Sequence, residues 1–468
     1  MRAPETAVPG KATARLTFDA WPEGKIKPTT ITLDVRVGKP GPKLEAVSAR
    51  LKKELVHPNR QTSLHGPYFT PDGKRIIACD WRGGTLMVWD AATGKQVAQV
   101  DIGLGAVGRL DAFYLSDDRQ TVYIEDNKTQ HEMLEQDGKN AIRRTYTGRI
   151  RAWDVATGKV RAVYQHDPPR VTFSLRLSPD QRKLLAMEEL PGISTGQPAR
   201  ATTLWDVQTG QATSLPTYAG WGIFSPDSRT LAYAERDKNN LTPALKLLDL
   251  TTGQEKLSIP IAQEFPDTNL LGFSPDGKTL IGSVRNYRAI RSSDWEVTLK
   301  LWDVATGREV LSVPGVSWSD FNSLVFTPNG RLCALTSYAR GNPEGKLYLI
   351  DLEKRQLGKM ILLGSAPANQ RMSVHSPVFS PDGKWLAVLT QVGPDRPIRG
   401  LEPEDMPQPR LHLIDVATGE IRETLIAPPG SISQTCFSPD GKTLAVSDRG
   451  KVLLWDMSQP PGNGASKK

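Results

Sequence analysis

Short apolar or alternating runs recur along the chain, and each is closed by a cluster of turn-forming residues. A typical stretch ends in Phe-Ser, passes through Pro-Asp-Gly and restarts as "KTLAV". After a connector comes a run such as "LKLWD", then Ala-Thr-Gly, then a run such as "REVLSV". Runs this short, bounded by Gly, Pro and Asp, predict strands rather than helices. The Pro-Asp-Gly order suits a tight turn because Pro presets φ, Asp bonds nearby backbone and Gly accepts positive φ. Each unit therefore predicts a four-stranded antiparallel meander, with strands a, b, c and d.

The first phrase starts at Phe69, Tyr114, Leu177, Phe224, Phe273, Phe326, Phe379 and Phe437. The second closes on Asp90, Asp154, Asp206, Asp249, Asp303, Asp351, Asp415 and Asp456. One copy, "GFSPDGKT" from Gly272 to Thr279, also fits the phosphate-loop pattern G-x-x-x-x-G-K-[ST]. That motif requires a helix after the lysine and backbone N–H groups free to meet phosphate. Here "LIGSV" follows, Pro275 lacks an N–H, and Asp276 would set negative charge against phosphate, so the repeated turn is the better reading.

With both phrases counted, the chain resembles the WD-repeat β-propeller family, named for the Trp-Asp pair that closes strand c. The Trp stands at Trp89, Trp153, Trp205, Trp302 and Trp455; Leu248, Ile350 and Ile414 replace it in the other units. The resemblance spans roughly residues 45 to 457, and its "SPDG…LWDVATG" wording looks most like divergent bacterial members. The Gly-His pair that family repeats often carry before strand a is absent, so the resemblance does not extend to the hydrogen-bonded network built on it. The resemblance implies an all-β propeller of eight blades, or seven if the weak second or sixth unit is not a true blade. The last unit lacks a strand d. "RLKKELVHPN", Arg50 to Asn59, matches the missing piece and would close the ring without a bare sheet edge.

Residues 1–44 form a separate segment with two strand-like runs, "ARLTFDAW" and "TITLDVRVG". They predict either a hairpin packed on the propeller or the remnant of a β-sandwich module. The propeller is expected over 45–457 and a disordered Gly/Pro-rich tail over 458–468. The chain's 468 residues and 38% hydrophobic content allow a substantial core. No run reaches the length of a membrane-crossing helix, and the start, "MRAPETAVPGK", lacks a signal-peptide centre. As given, the chain predicts a cytoplasmic protein; an upstream export signal would make it periplasmic or secreted. The net charge is +8, but residues 1–60 hold 12 Lys/Arg against 6 Asp/Glu, and Lys467 with Lys468 supply the rest. The propeller as a whole is neutral, and nucleic-acid binding is not expected of it.

Local motifs nominate no enzyme, metal site or cofactor: there is no H-E-x-x-H, C-x-x-C or G-x-S-x-G. Cys79, Cys333 and Cys436, odd in number and dispersed, predict buried apolar residues rather than a disulfide framework. His375 and His412 lie in predicted strands and read as structural, and Glu402 with Glu404 as a solvated loop. Asp72, Asp276, Asp382 and Asp440 read as turn formers.

Strand reversal places the a–b and c–d turns on one face and the b–c connectors on the other. All the major insertions fall between b and c, the longest in the second unit (127–148), the fifth (285–296) and the seventh (392–409). Long loops on a rigid scaffold are where recognition concentrates, and arginine and aromatic residues are favoured anchors. The expected contact residues are Arg143, Arg144, Tyr146, Arg285, Tyr287, Arg288, Arg291, Trp295, Tyr338, Arg340, Arg396 and Arg399. The reading is a non-catalytic, monomeric propeller that binds a protein or peptide through this face. The alternative is a secreted propeller enzyme or small-ligand binder that uses the channel mouth.

Overall fold

The structure, a computed structural model, describes all residues except 1–10, 19–28, 37–48, 59–61, 63, 81–83, 102–112, 127–128, 137–138, 195–198, 216–221, 236–241, 243, 262–266, 286–296, 314–323, 338–343, 368–369, 395–407, 431, 433, 449 and 461–468. Two units separate, Met1–Val47 and Ser48–Lys468. In the first, Lys11–Phe18 pairs antiparallel with Thr29–Arg36, Lys11 opposite Arg36 and Phe18 opposite Thr29.

The second unit is an all-β ring of eight four-stranded antiparallel blades, with no helix among the described residues. Blade 1 comprises Leu64–Phe69, Arg75–Asp80, Thr85–Asp90 and Gln96–Asp101 as strands a to d. The second unit of the sequence is a full blade: Phe113–Leu115, Thr121–Asp126, Arg149–Asp154 and Val160–Tyr164. So is the sixth: Val325–Phe326, Leu332–Ser337, Glu344–Asp351 and Gln356–Ser365. The count is therefore eight, not seven. In blade 8, strand d is Leu51–Val56, which pairs with strand c, Lys451–Asp456, and closes the ring as expected. Arg50 locks this junction. Its guanidinium donates to Glu423 Oε1 of blade 7 (2.9 Å) and to the carbonyls of Asp456 (3.0 Å), Gln459 (2.9 Å) and Pro460 (3.0 Å). The chain expected to run free from residue 458 is thus held as far as Pro460; beyond it lies outside the described residues.

Each strand alternates faces, so each blade presents apolar side chains to both neighbours, and every seam between blades has its own cluster. The seam of blades 1 and 2 holds Ile77, Val88, Leu115 and Ile124; that of blades 8 and 1 holds Leu55, Phe69, Ile76, Trp89 and Leu454. Among the described residues, that between blades 3 and 4 has Leu185, Leu204, Leu231 and Tyr233. The tryptophans of the Trp-Asp pairs fill these seams, with Trp89 2%, Trp205 3%, Trp302 3% and Trp455 1% exposed. Burying one indole contributes on the order of 4 kcal/mol. Among the described residues the indole N–H groups of Trp153, Trp205 and Trp455 meet no acceptor.

The stretch that imitates a phosphate loop is a strand, a turn and a strand: Asp267–Phe273 pairs with Thr279–Arg285. Ser274 Oγ donates to Asp276 Oδ1 (2.6 Å) and accepts from the Thr279 N–H (2.9 Å), while Asp276 Oδ1 also accepts from the Lys278 N–H (3.0 Å). The same three bonds recur around Ser116, Ser178, Ser225, Ser380 and Ser438. In the c–d turn the aspartate of the Trp-Asp pair does the capping: Asp303 Oδ1 accepts from the N–H (3.0 Å) and hydroxyl (2.9 Å) of Thr306. Both signature words are thus consumed in holding turns.

Candidate functional site

The two faces of the ring differ in what the turns touch. Neighbouring a–b turns abut, so that a Cβ on Gly330 would meet Pro275 of the preceding blade at 3.1 Å and one on Gly383 would meet Pro328 at 3.3 Å. Glycine there also meets the backbone demand, with φ near +70° at both positions. Three a–b turns and one c–d turn break the glycine rule: Arg119, Gln181, Ser228 and Arg355 hold positive φ. Each reaches the preceding blade. Arg119 lies over the Tyr68 ring (4.9 Å) and Gln181 bonds Asp118. Ser228 Oγ accepts from the Asp180 N–H (2.9 Å), and Arg355 donates to Asp303 Oδ2 (3.0 Å).

On the opposite face, the long insert of blade 2 is an ordered arm rather than a loop. Thr129–Gln136 and Lys139–Tyr146 pair antiparallel, and the second of these strands pairs on its other edge with Gly192–Ser194 from the b–c connector of blade 3. Arg143 sits opposite Ile193, and Arg144 opposite Gly192. The connectors of blades 2 and 3 therefore share one three-stranded sheet whose outer strand, Thr129–Gln136, has a free edge among the described residues. Met133 on that strand is 67% exposed.

Of the expected contact residues, three fall together on this arm. Arg143 is exposed and bridges Glu132 across the hairpin (2.8 Å). Arg144 is half-buried, and Tyr146 is buried at 3% exposure, so its ring packs inward instead of presenting a contact surface. Burial, and secondarily the Glu189 carboxylate, push the Tyr146 phenol above its usual range. Glu189 in turn faces Arg200 (3.8 Å), whose guanidinium lies over the Phe173 ring (5.2 Å). Arg285 ends strand b of blade 5, and only its backbone is described. Tyr287, Arg288, Arg291, Trp295, Tyr338, Arg340, Arg396 and Arg399 lie outside the described residues, as do Trp221, Trp318, Glu402 and Glu404.

Sequence reasoning missed a polar cluster beside the arm. Glu188, 1% exposed, is the next-to-last residue of strand b of blade 3 (Lys183–Glu189) and accepts from Thr203 Oγ1 (2.6 Å) and Arg170 Nη1 (3.1 Å), with His166 Nε2 at 3.0 Å. His166 and Arg170 belong to the link between blades 2 and 3, and the His166 ring lies 4.6 Å from that of Trp205. The only signal in the sequence is an acidic residue at the end of an apolar strand, which is weak on its own.

Elsewhere the shifted titratable groups have structural causes. His412 lies between the hydroxyls of Thr390 (2.8 Å) and Thr424 (3.0 Å), and burial lowers its pKa to about 4, so it is a neutral structural residue. Burial pushes the Cys79 thiol up, and Cys333 to about 12; no disulfide joins them. Among the described residues no group of three or more His, Cys, Asp or Glu could hold a metal ion.

The family model described as "WD domain, G-beta repeat" (WD40) matches residues 419–456, from the c–d turn of blade 7 to the end of strand c in blade 8. That match and the eight blades of the same construction around it together support the WD-repeat propeller family. The chain is a WD-repeat β-propeller. No curated protein matches it. WD-repeat propellers typically serve as non-catalytic scaffolds that bind protein partners. In this WD-repeat propeller the structural words occupy one face, and the arm built by the connectors of blades 2 and 3 occupies the other.

Proposed function

We propose that this WD-repeat propeller is a non-catalytic scaffold that engages a protein or peptide through its b–c face, with the blade 2–3 arm as a contact element. The observation that supports this most is the arm itself. Two connectors from different blades spend sixteen residues of hairpin and a third short strand on a structure that adds nothing to ring closure. Its free strand edge suits pairing with an extended segment, and Met133 and Arg143 supply an apolar and a cationic contact beside it. The expected partner is an extended peptide or strand edge.

The test is affinity capture from the native source with wild type, with Met133→Asp/Arg143→Glu, and with Lys384→Ala/Lys442→Ala on the opposite face. Equal melting temperatures first establish that all three are folded. A partner held by wild type and the lysine variant but lost by the arm variant supports the reading. A partner held equally by all three, or lost only by the lysine variant, moves the contact off the arm.

A further inference from the structure

Between blades 8 and 1, on the turn face, lies a cleft of about 490 Å³ lined by Phe69, Asp72, Ala91, Ala92, Pro439 and Asp440. The sequence explains why space opens there. The residue after each strand-c aspartate packs into the seam toward the preceding blade, and its N–H donates to the carbonyl of the residue that follows the a–b turn. Val304 does so to Lys278 (2.9 Å), Leu352 to Arg331 (2.9 Å), Val416 to Lys384 (2.9 Å) and Met457 to Lys442 (2.8 Å). Ala91 makes the same bond to Lys74 (2.8 Å), so its position is equivalent. Seven blades place Val, Leu or Met there; blade 1 alone has Ala, and the absent carbons leave the seam unfilled at its mouth.

The rim of the cleft is anionic and its floor apolar. Asp72 and Asp440 each spend Oδ1 on their own turn, accepting from Thr70 Oγ1 (2.6 Å) and the Lys74 N–H (3.0 Å), and from Ser438 Oγ (2.6 Å) and the Lys442 N–H (3.0 Å). Among the described residues Oδ2 of each has no hydrogen bond. The hydroxyls of Thr70 and Ser438 hold both carboxyls below the usual range, so both are charged at neutral pH. Lys53 of the closing strand already donates to the Ala92 carbonyl (2.8 Å), so this turn accepts an ammonium group.

We propose that the cleft binds an organic cation on an apolar stem: an alkylammonium or alkylguanidinium, supplied by a lysine or arginine side chain or by a free polyamine. An anion would face two carboxylates, and a neutral apolar group would bury their charge without compensation. A bare metal ion would meet an apolar floor and only the two Oδ2 atoms, fewer than the oxygen ligands it requires. The volume suits a small ligand, for which pockets run from roughly 300 to 1,000 Å³. This site is on the face opposite the arm and stands independently of the partner reading.

The test titrates n-butylammonium, n-butylguanidinium and, as the anionic control, n-butylsulfonate into the full chain, with binding read by ligand-observed NMR. Asp72→Asn/Asp440→Asn removes the rim charge and keeps the turns, because Asn329 already accepts from Thr327 Oγ1 (2.7 Å) and the Arg331 N–H (3.1 Å) in blade 6. Ala91→Leu restores the side chain that Leu250 and Leu352 supply elsewhere. Binding of the two cations and not the sulfonate is expected, weakened about tenfold or more by the double Asn variant. Ala91→Leu is expected to abolish it while raising the melting temperature. Should Ala91→Leu fail to fold, the Asn variant decides alone. No cation binding at millimolar concentration, or equal binding by wild type and the double Asn variant, overturns the proposal. A Gly-Arg-Gly peptide that binds where spermidine does not assigns the natural source to a protein side chain; the reverse assigns it to a polyamine.

Discussion

The turn face and the b–c face of this ring use polar residues in opposite ways. On the turn face nearly every Ser, Thr and Asp of the repeat words is bonded within its own turn, as Ser274 with Asp276 and Asp303 with Thr306 are, and glycine or a reaching side chain seals each a–b turn to the one before. Among the described residues of the b–c face no such template operates. Blade 2 builds an arm, blade 3 contributes a strand to it, and beside them a buried carboxylate gathers a histidine, an arginine and a threonine. Repetition thus marks where the chain holds itself together, and departure from repetition marks where it is free to be specific.

The largest expected effect breaks that division. Glu188 is on the variable face yet is structural: Glu188→Ala strands Arg170 and Thr203 beside an apolar seam and is expected to cost about 3 kcal/mol. Urea unfolding would measure it; a loss below about 1 kcal/mol would mean that water reaches the cluster and replaces the carboxylate. Next, Ser274→Ala on the turn face leaves the buried Thr279 N–H without its acceptor and is expected to cost about 2 kcal/mol. Ser274→Thr should be tolerated, since Thr327 makes the same bond to Leu332 (3.0 Å).

Acid should act on the turn face. Hydrogen bonds from the turns and, at Asp249, first from Lys256 lower the carboxylate pKa values, to about 2 in that case. Because the folded values lie below the unfolded ones, the stabilisation is complete above about pH 4 and is lost as pH falls through the folded values. Thermal melts should be nearly flat from pH 7 to about 5 and fall steeply toward about pH 2. An equally steep loss between pH 7 and 5 would place the sensitive groups elsewhere. The smallest effect sharpens the comparison most. At Ser228, φ is +60°, and the side chain receives the Asp180 N–H. Ser228→Gly relieves strain of about 1 kcal/mol while losing a bond of similar worth, and is expected near neutrality. Ser228→Ala keeps the strain and loses the bond, so it should be the worse of the two by about 1 kcal/mol. The reverse order would mean that the positive φ carries no strain, and a Ser228→Ala variant as stable as wild type would mean that the reach to blade 3 contributes nothing.

Much of the architecture is legible in the residues because the turns are chemically explicit. Pro-Asp-Gly and Ala-Thr-Gly recur with enough identity to count eight units, and a missing strand d in the last points to "LKKELV" near the start. The arm is not legible in the same way. "TQHEMLEQ" and "KNAIRRTY" alternate too weakly to read as strands, and what orders the second of them includes a partner about fifty residues later, Gly192–Ser194. Tyr146, opposite Thr129 at the base of the hairpin, is buried, and no local pattern encodes that. The seam cleft was written in plain view, in the Ala91 of "DAATG" beside seven Val, Leu or Met counterparts, and takes meaning only when blades 8 and 1 are adjacent.

Closure by Leu51–Val56 also sets a timetable. Its partner, Lys451–Asp456, leaves the ribosome some four hundred residues later, which at about 5–20 residues per second is roughly 20 to 80 s. Through that interval a strand made for pairing waits with both edges bare. Its two lysines and one glutamate in six residues are what a chain needs to wait without pairing wrongly. Charge on this short strand protects a ring that does not yet exist.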